Sequence, residues 1–243
     1  MGKKLRVQRR GRGSPTFRAV KTGRVAPIRY PPSTMETLNG VVEDLIHESG
    51  RGTPLAYIKI EEGPGYYVSA PEGIHIGQDV EIGEDAPIRI GNVLPLEFVP
   101  VGTMVCNVEL RPGDGGRIAR SSGAFATVVS HMSSGTVVRM PSKRNVELND
   151  SCRATVGIVA GGGRKEKPFM KAGERFLLEK AKGHVYPTTK GVSMTAASHP
   201  HGGGRHRRPG KSTTVSRNAP PGKKVGLIAA RNSGKRKRRR RNE

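Results

Sequence analysis

The chain has 243 residues, with 43 Lys+Arg against 20 Asp+Glu and a formal net charge of +23. That surplus exceeds what solubility needs and points to a polyanionic partner. Aromatic residues make up 4% with no Trp, and apolar residues 34%, which disfavours an all-helical bundle or an enzyme built on one large apolar core.

No run of 18 or more apolar residues occurs, so no membrane-spanning helix is expected. Met1-Gly2-Lys3-Lys4 is basic, but no apolar stretch follows, so no secretory signal is expected either. Cys106 and Cys152 stand alone and read as two ordinary thiols in a reducing compartment.

Along the chain the charge is uneven. Residues 1–35 carry ten Lys/Arg and no acid. Their few large apolar groups show no sustained period, so they read as a basic N-terminal extension that cannot offset its own ordering entropy. Residues 36–100 carry three bases and twelve acids. Short apolar-rich runs fill this segment at Val41–Ile46, Leu55–Ile60, Tyr66–Val68, Ile74–Ile76, Val80–Ile82 and Ile88–Ile90. Turn residues separate them, at Gly50–Pro54, Gly63–Gly65, Gly77, Gly83 and Gly91-Asn92. Such spacing predicts a small barrel, of which the five-stranded oligonucleotide-binding type is one form. Its acids are expected to face solvent or basic neighbouring proteins rather than phosphate.

Residues 101–183 carry fourteen bases and seven acids. A second series of β-branched runs covers Met104–Leu110, Ala126–Val129, Thr136–Met140, Asn145–Leu148 and Ala154–Val159, predicting a second small barrel. Between its first two strands lies the glycine-rich loop Arg111–Gly123 with Arg111, Arg117 and Arg120. Glycine lets backbone approach a phosphate closely, and arginine supplies forked donors. One short helix is expected near Ala172–Lys182, weakened by Gly173. Residues 184–243 carry sixteen bases and one acid and read as a basic C-terminal extension. It holds the run His199-Pro200-His201-Gly202-Gly203-Gly204-Arg205-His206-Arg207-Arg208 and ends in seven consecutive bases, Lys235–Arg241. The terminal run suits an RNA-phosphate tail or a nuclear localisation patch equally.

Three other readings are weaker. His184, His199, His201 and His206 could gather round a metal or a catalytic centre, but no Cys or carboxylate lies close in sequence to complete either. Gly210-Lys211-Ser212 resembles the end of a phosphate-binding P-loop, but the required upstream glycine position is Arg205. The third is a general nucleic-acid packaging protein.

An ordered set of short motifs carries a resemblance. They are Gly91–Leu96, Val99–Thr103, Asn107–Glu109 with Pro112-Gly113, Ala119–Gly123, Cys152–Thr155, Gly191–Met194 and His199–Gly204. Together they make the chain similar to the universal large-subunit ribosomal protein two family, in its archaeal-type form, over nearly the whole length. The resemblance implies a mainly β fold. An OB-fold-like barrel over 36–100 would precede an SH3-like barrel over 101–183, with extended basic arms at 1–35 and 184–243. It implies a structural rRNA binder of the cytoplasmic ribosome, not an enzyme. That role would support subunit association and the peptidyl transferase region. Partners would be large-subunit rRNA, other ribosomal proteins and the small subunit across the intersubunit interface, with no membrane. No cofactor is expected beyond Mg²⁺ ions on neighbouring rRNA.

The candidate RNA-contact residues are Arg9, Arg10, Arg12, Arg111, Arg117, Arg120, Arg153, His199, His201, Gly202, Gly203, Arg205, Arg207, Arg208 and Lys211. Arg120 follows from the match of the Ala-Arg-Ser-Ser-Gly loop. His199 and His201 follow from the His-Pro-His-Gly-Gly-Gly match, which puts them in the arm reaching toward the peptidyl transferase region. Thr195–Ser198 and Arg205–Arg207 lack the acids that bacterial members carry there, which puts in doubt any role needing a carboxylate beside these histidines.

Overall fold

A computed structural model describes residues 2–32, 37–61, 63–164 and 166–231. The chain is mainly β. It divides into two compact units, Val20–Glu174 and a second made of Met1–Ala19 with Arg175–Glu243.

The Val20–Glu174 unit holds ten strands: β1 Leu38–Ile46, β2 Leu55–Ile60, β3 Tyr66–Ser69, β4 Asp79–Ile82, β5 Val93–Pro95, β6 Met104–Cys106, β7 Ala126–Met132, β8 Gly135–Arg139, β9 Asn145–Leu148 and β10 Arg153–Val156. They form one sheet in the order β3-β2-β1-β4-β5-β10-β6-β7-β8-β9. Neighbours pair antiparallel except β4 and β5, which pair parallel at Ile82–Val93. β1 carries an irregularity between Val42 and Asp44, and β7 one between Val128 and Ser130. Such bulges bend a strand and raise its twist, which turns the sheet over two separate cores.

The first core gathers Tyr30, Val42, Ile58, Tyr66, Val68, Val80 and Val93. The second gathers Leu94, Leu96, Val99, Val105, Val128, Val138, Ala154 and Val156. Alternation of side chains along a strand explains the shared border: Val93 enters the first core and its neighbour Leu94 the second. Leu94, Leu96 and Val99 therefore serve the core built mostly from residues beyond 100, and Tyr30 brings the basic N-terminal stretch into the first core.

Ile74–Ile76 and Ile88–Ile90, expected as strands, are irregular segments instead, with Ile76, Ile88 and Ile90 exposed. Side-chain amides replace the ladder. Gln78 accepts from His75 N at 3.3 Å and donates to Ile90 O at 2.7 Å. Asn92 accepts from Glu81 N at 3.1 Å and donates to Pro87 O at 2.9 Å. The run expected through Leu110 stops at Cys106, because Asn107 takes a positive φ of 50°. Val108 bridges only to Ile118.

The two arms, read from sequence as separate extensions, meet in the other unit. Its described part contains α1 Arg6–Gly11, most of α2 Ala172–Ala181, and the short parallel pair β11 Thr214–Val215 and β12 Leu227–Ile228. Helix α1 starts where Gln8 Oε1 accepts from Leu5 N at 2.7 Å. Helix α2 falls where it was expected and ends in a Schellman turn: Gly183 N donates to Lys180 O and His184 N to Glu179 O. Gly183 has φ +75°, and a Cβ there would strike the backbone of Arg18 and Ala19. Only glycine meets both demands, so this turn fixes the two arms side by side. Lys3 N also donates to Ala197 O at 2.8 Å.

Candidate nucleic-acid interface

In the Val20–Glu174 unit the interface is built on a buried carboxylate. Glu109 has no solvent exposure. Its oxygens accept from Gly115 N at 2.9 Å, Gly113 N at 3.3 Å and Arg153 N at 2.9 Å. The Arg153 guanidinium closes the pair at 3.1 Å, donates to Pro31 O at 2.9 Å and lies over the Tyr30 ring at 5.3 Å. Tyr30 in turn hydrogen-bonds Asn107 O at 2.9 Å and Thr155 Oγ1 at 2.6 Å. A buried charge persists only when paired and hydrogen-bonded, and here the pairing clamps the base of the glycine-rich loop.

Above that clamp, Asp114 accepts from Leu110 N and Gly116 N, both at 3.2 Å. Gly116 has φ +85°, and a Cβ would collide with Asn107 O. Its carbonyl accepts from Arg120 Nη1 at 2.9 Å. Arg120 is thus held half-buried. Burial, then the positive charges of Arg51 and Arg117, push its guanidinium below the ordinary arginine value. Arg117 is exposed, with Asp114 at 3.9 Å. Arg111 is exposed.

Two residues that sequence reading missed complete this surface. Arg51 donates through one Nη2 to both Glu48 oxygens, at 2.9 and 3.0 Å, and its Nε is buried without a partner among the described residues. Arg164 donates to Ser122 Oγ at 3.3 Å and packs over Gly52. Both stand beside glycines, at Arg51-Gly52 and Gly161-Gly162-Gly163-Arg164, the signal that flagged the 111–123 loop. Arg51 and Arg117 set like charge beside Arg120, an arrangement that an anion would relieve.

Arg153, expected as an RNA contact, is 6% exposed, and its guanidinium donors serve Glu109 and Pro31, so within this unit it holds the loop in place.

In the other unit, Arg9, Arg10 and Arg12 lie exposed on and just after α1. Lys3, Lys4 and Arg9 share a groove with Met194 and Ser198, next to the histidine element. His199 Nδ1 accepts from His201 N at 3.0 Å, which leaves Nε2 to carry the proton. Its ring meets that of His201 edge-on at 5.3 Å and lies against Gly191. Burial, then His201, lowers the His199 pKa. Gly202 N donates to His199 O and Gly203 N to Met194 O. Gly203, Arg205, Arg207, Arg208 and Lys211 are exposed, while His201 and Gly202 are half-buried.

The histidines do not form a metal set: no group of three or more His, Cys, Asp or Glu is placed to hold an ion among the described residues. His184 pairs with Glu179 at 2.7 Å. Both cysteines are buried, and burial pushes the Cys106 thiol up to about 12 and Cys152 to about 11. No helix among the described residues is long and apolar enough to cross a membrane. The run Lys235–Arg241 lies outside the described residues.

Residues 89–224 match the family described as Ribosomal Proteins L2, C-terminal domain. The chain is 51% identical over 240 residues to large ribosomal subunit protein uL2 of Korarchaeum cryptofilum, covering 98% of each. It is 51% identical over 238 residues to uL2 of Hyperthermus butylicus, covering 98% of this chain and 100% of the relative. Identity to uL2 of Methanobrevibacter smithii is 48%, covering 96% of this chain and 99% of the relative. Near-complete coverage at this identity, together with a match across more than half the chain, places the protein in the ribosomal protein L2 family, in its archaeal type, as a structural protein and not an enzyme.

Proposed function

We propose that this protein is a structural constituent of the large ribosomal subunit that binds large-subunit rRNA directly. One observation carries the reading: Arg120, hydrogen-bonded to Gly116 O on a loop clamped by Glu109 and Arg153, is held half-buried beside the like charges of Arg51 and Arg117. Phosphate oxygens relieve that repulsion. Each neutralised phosphate releases counterions, so affinity falls with salt with a slope of roughly 0.7–0.9 per contact. Arg9, Arg10, Arg12, Arg111, Arg205, Arg207, Arg208 and Lys211 add contacts along the joined arms, with His199 Nε2–H, His201, Gly202 and Gly203 at the glycine element. The two apolar clusters serve as cores of an OB-fold-like and an SH3-like barrel, a rigid platform for these loops. The reading extends to subunit association and to the peptidyl transferase region, served by the histidine arm. Mg²⁺ in this setting belongs to the RNA.

The test compares large-subunit rRNA with duplex DNA at matched salt. The intact protein prefers folded rRNA, and Arg120→Ala weakens that binding by about 1–3 kcal/mol. Equal binding to both nucleic acids overturns the proposal. Unchanged binding by Arg120→Ala removes Arg120 from the site.

A further inference from the structure

The unit formed by Met1–Ala19 and Arg175–Glu243 contains a groove of about 610 Å³ outside every candidate residue except Arg10. Both arms line it. Arg6 and Arg10 come from α1, and Phe17 from the turn after it. Arg175 and Glu179 come from α2, and Tyr186 from just beyond the Schellman turn. Ligand clefts span roughly 300–1,000 Å³, so the space suits one nucleotide. We propose that it receives a single rRNA nucleotide turned out of its helix, with the base against the aromatic rings and the phosphate among the arginines. This rests on the rRNA-binding reading and names a further contact within it.

The chemistry of the lining selects that occupant. The Arg175 guanidinium lies 4.8 Å from the centre of the Tyr186 ring. An aromatic face joined to an arginine plane is a sequence-tolerant platform for stacking a base. Arg6 Nη1 is buried and has no partner among the described residues, a donor that needs an acceptor. Arg6, Arg10 and Arg175 form no ion pair among the described residues, although Glu179 lines the same groove. That carboxylate is turned to His184 Nδ1 at 2.7 Å. A carboxylate repels a bare inorganic anion but accepts from a base N–H, so the mixed lining favours a nucleotide over free phosphate. An apolar peptide would leave three guanidinium groups unpaired. Tyr186 and Phe17 thus give base stacking a place in a chain with five Tyr, five Phe and no Trp.

The experiment binds the full-length protein to large-subunit rRNA, crosslinks with ultraviolet light and maps adducts by mass spectrometry. Affinity is measured alongside for Tyr186→Leu and Tyr186→Phe. A nucleotide adduct on Tyr186 or Phe17 is expected. Tyr186→Leu lowers rRNA affinity roughly tenfold at fixed salt, with an unchanged salt slope, because stacking carries no charge. Tyr186→Phe keeps the ring and binds as the parent does. Wild-type affinity in Tyr186→Leu, with adducts at the 117–122 loop and none in the groove, overturns the groove assignment and leaves rRNA binding standing. Loss of the parent's preference for rRNA over duplex DNA overturns both. Calorimetry with free nucleoside monophosphates supplies the last arm: saturable binding lost in Tyr186→Leu, without any rRNA adduct, assigns the groove to a free nucleotide and overturns the RNA assignment.

Discussion

The two units of this chain reach order by different means. In Val20–Glu174, two apolar clusters and ten strands bury Val, Leu and Ile side chains almost completely. In the unit made of Met1–Ala19 and Arg175–Glu243, the buried apolar residues among those described are Leu5 and Val225 alone. Turns, close glycine contacts and single backbone hydrogen bonds hold the rest. Apolar burial, the main force that offsets chain ordering entropy, is thus concentrated in the first unit. The difference teaches how one chain divides labour. One part is a scaffold built on buried apolar side chains, and the other leaves most of its donors and charges exposed.

Several measurements would break or sharpen this contrast. The largest effect is expected at the Glu109 clamp. Glu109→Ala leaves Arg153 buried without its counter-charge and costs about 3–5 kcal/mol of unfolding free energy in denaturant titration. A loss under 1 kcal/mol would show that the clamp is not what orders the scaffold. Next, Leu94→Ala in the second core costs about 2–5 kcal/mol. Leu227→Ala, on exposed β12, stays within about 0.5 kcal/mol. Equal costs at the two leucines would erase the distinction between the units. Amide hydrogen exchange on the free protein reads the same contrast without mutation. Strands β1, β2, β7 and β8 exchange only by opening that approaches global unfolding, whereas residues 191–231 exchange through local opening of low cost. Strong protection in the latter stretch would contradict the contrast outright.

The smallest effect concerns His199. Burial and His201 hold its pKa below the ordinary value of about 6.5. The unfolded chain therefore binds the proton more readily than the folded one. Stability from this residue is complete above the unfolded pKa and declines as pH falls below it. Protonation also removes the Nδ1 acceptor for His201 N. Titration followed by NMR should place the His199 ring below the ordinary histidine value and lose the His201 amide protection in the same acid range. A His199 pKa at or above the ordinary value would remove the neutral acceptor from the glycine element.

Much of the scaffold was legible in the chain itself. The runs at Leu55–Ile60 and Thr136–Met140 gave strands, the second ending at Arg139, because alternating or continuous apolar residues fit a pleated, half-buried surface. Ile74–Ile76 and Ile88–Ile90 have the same local pattern and did not; there the Gln78 side chain, from outside both segments, meets His75 N and Ile90 O. No period-two count contains that information. Tyr30, in a stretch read as a basic arm, lies in the first core because its hydroxyl finds Asn107 and Thr155.

The candidate interface divides in the same way. The loop 111–123 was visible as glycine interleaved with arginine. Arg51 and Arg164 were not grouped with it, since convergence on Ser122 and Gly52 is a product of the fold. Family membership was also readable before any coordinates, because an ordered succession of short motifs is a property of the chain alone.

What the sequence by itself determined is the charge and its partition: basic ends, an acidic inner segment, mainly β composition and too few apolar residues in the arms for a core. Which arginine does what was decided only by tertiary structure. Arg120 and Arg153 carry the same group and stand in similar glycine-flanked or β-rich surroundings. One is held at the surface among like charges, the other closed against Glu109 in the interior. The physical reason is that charge is counted along the chain, whereas solvation and pairing depend on which distant segments the fold brings together.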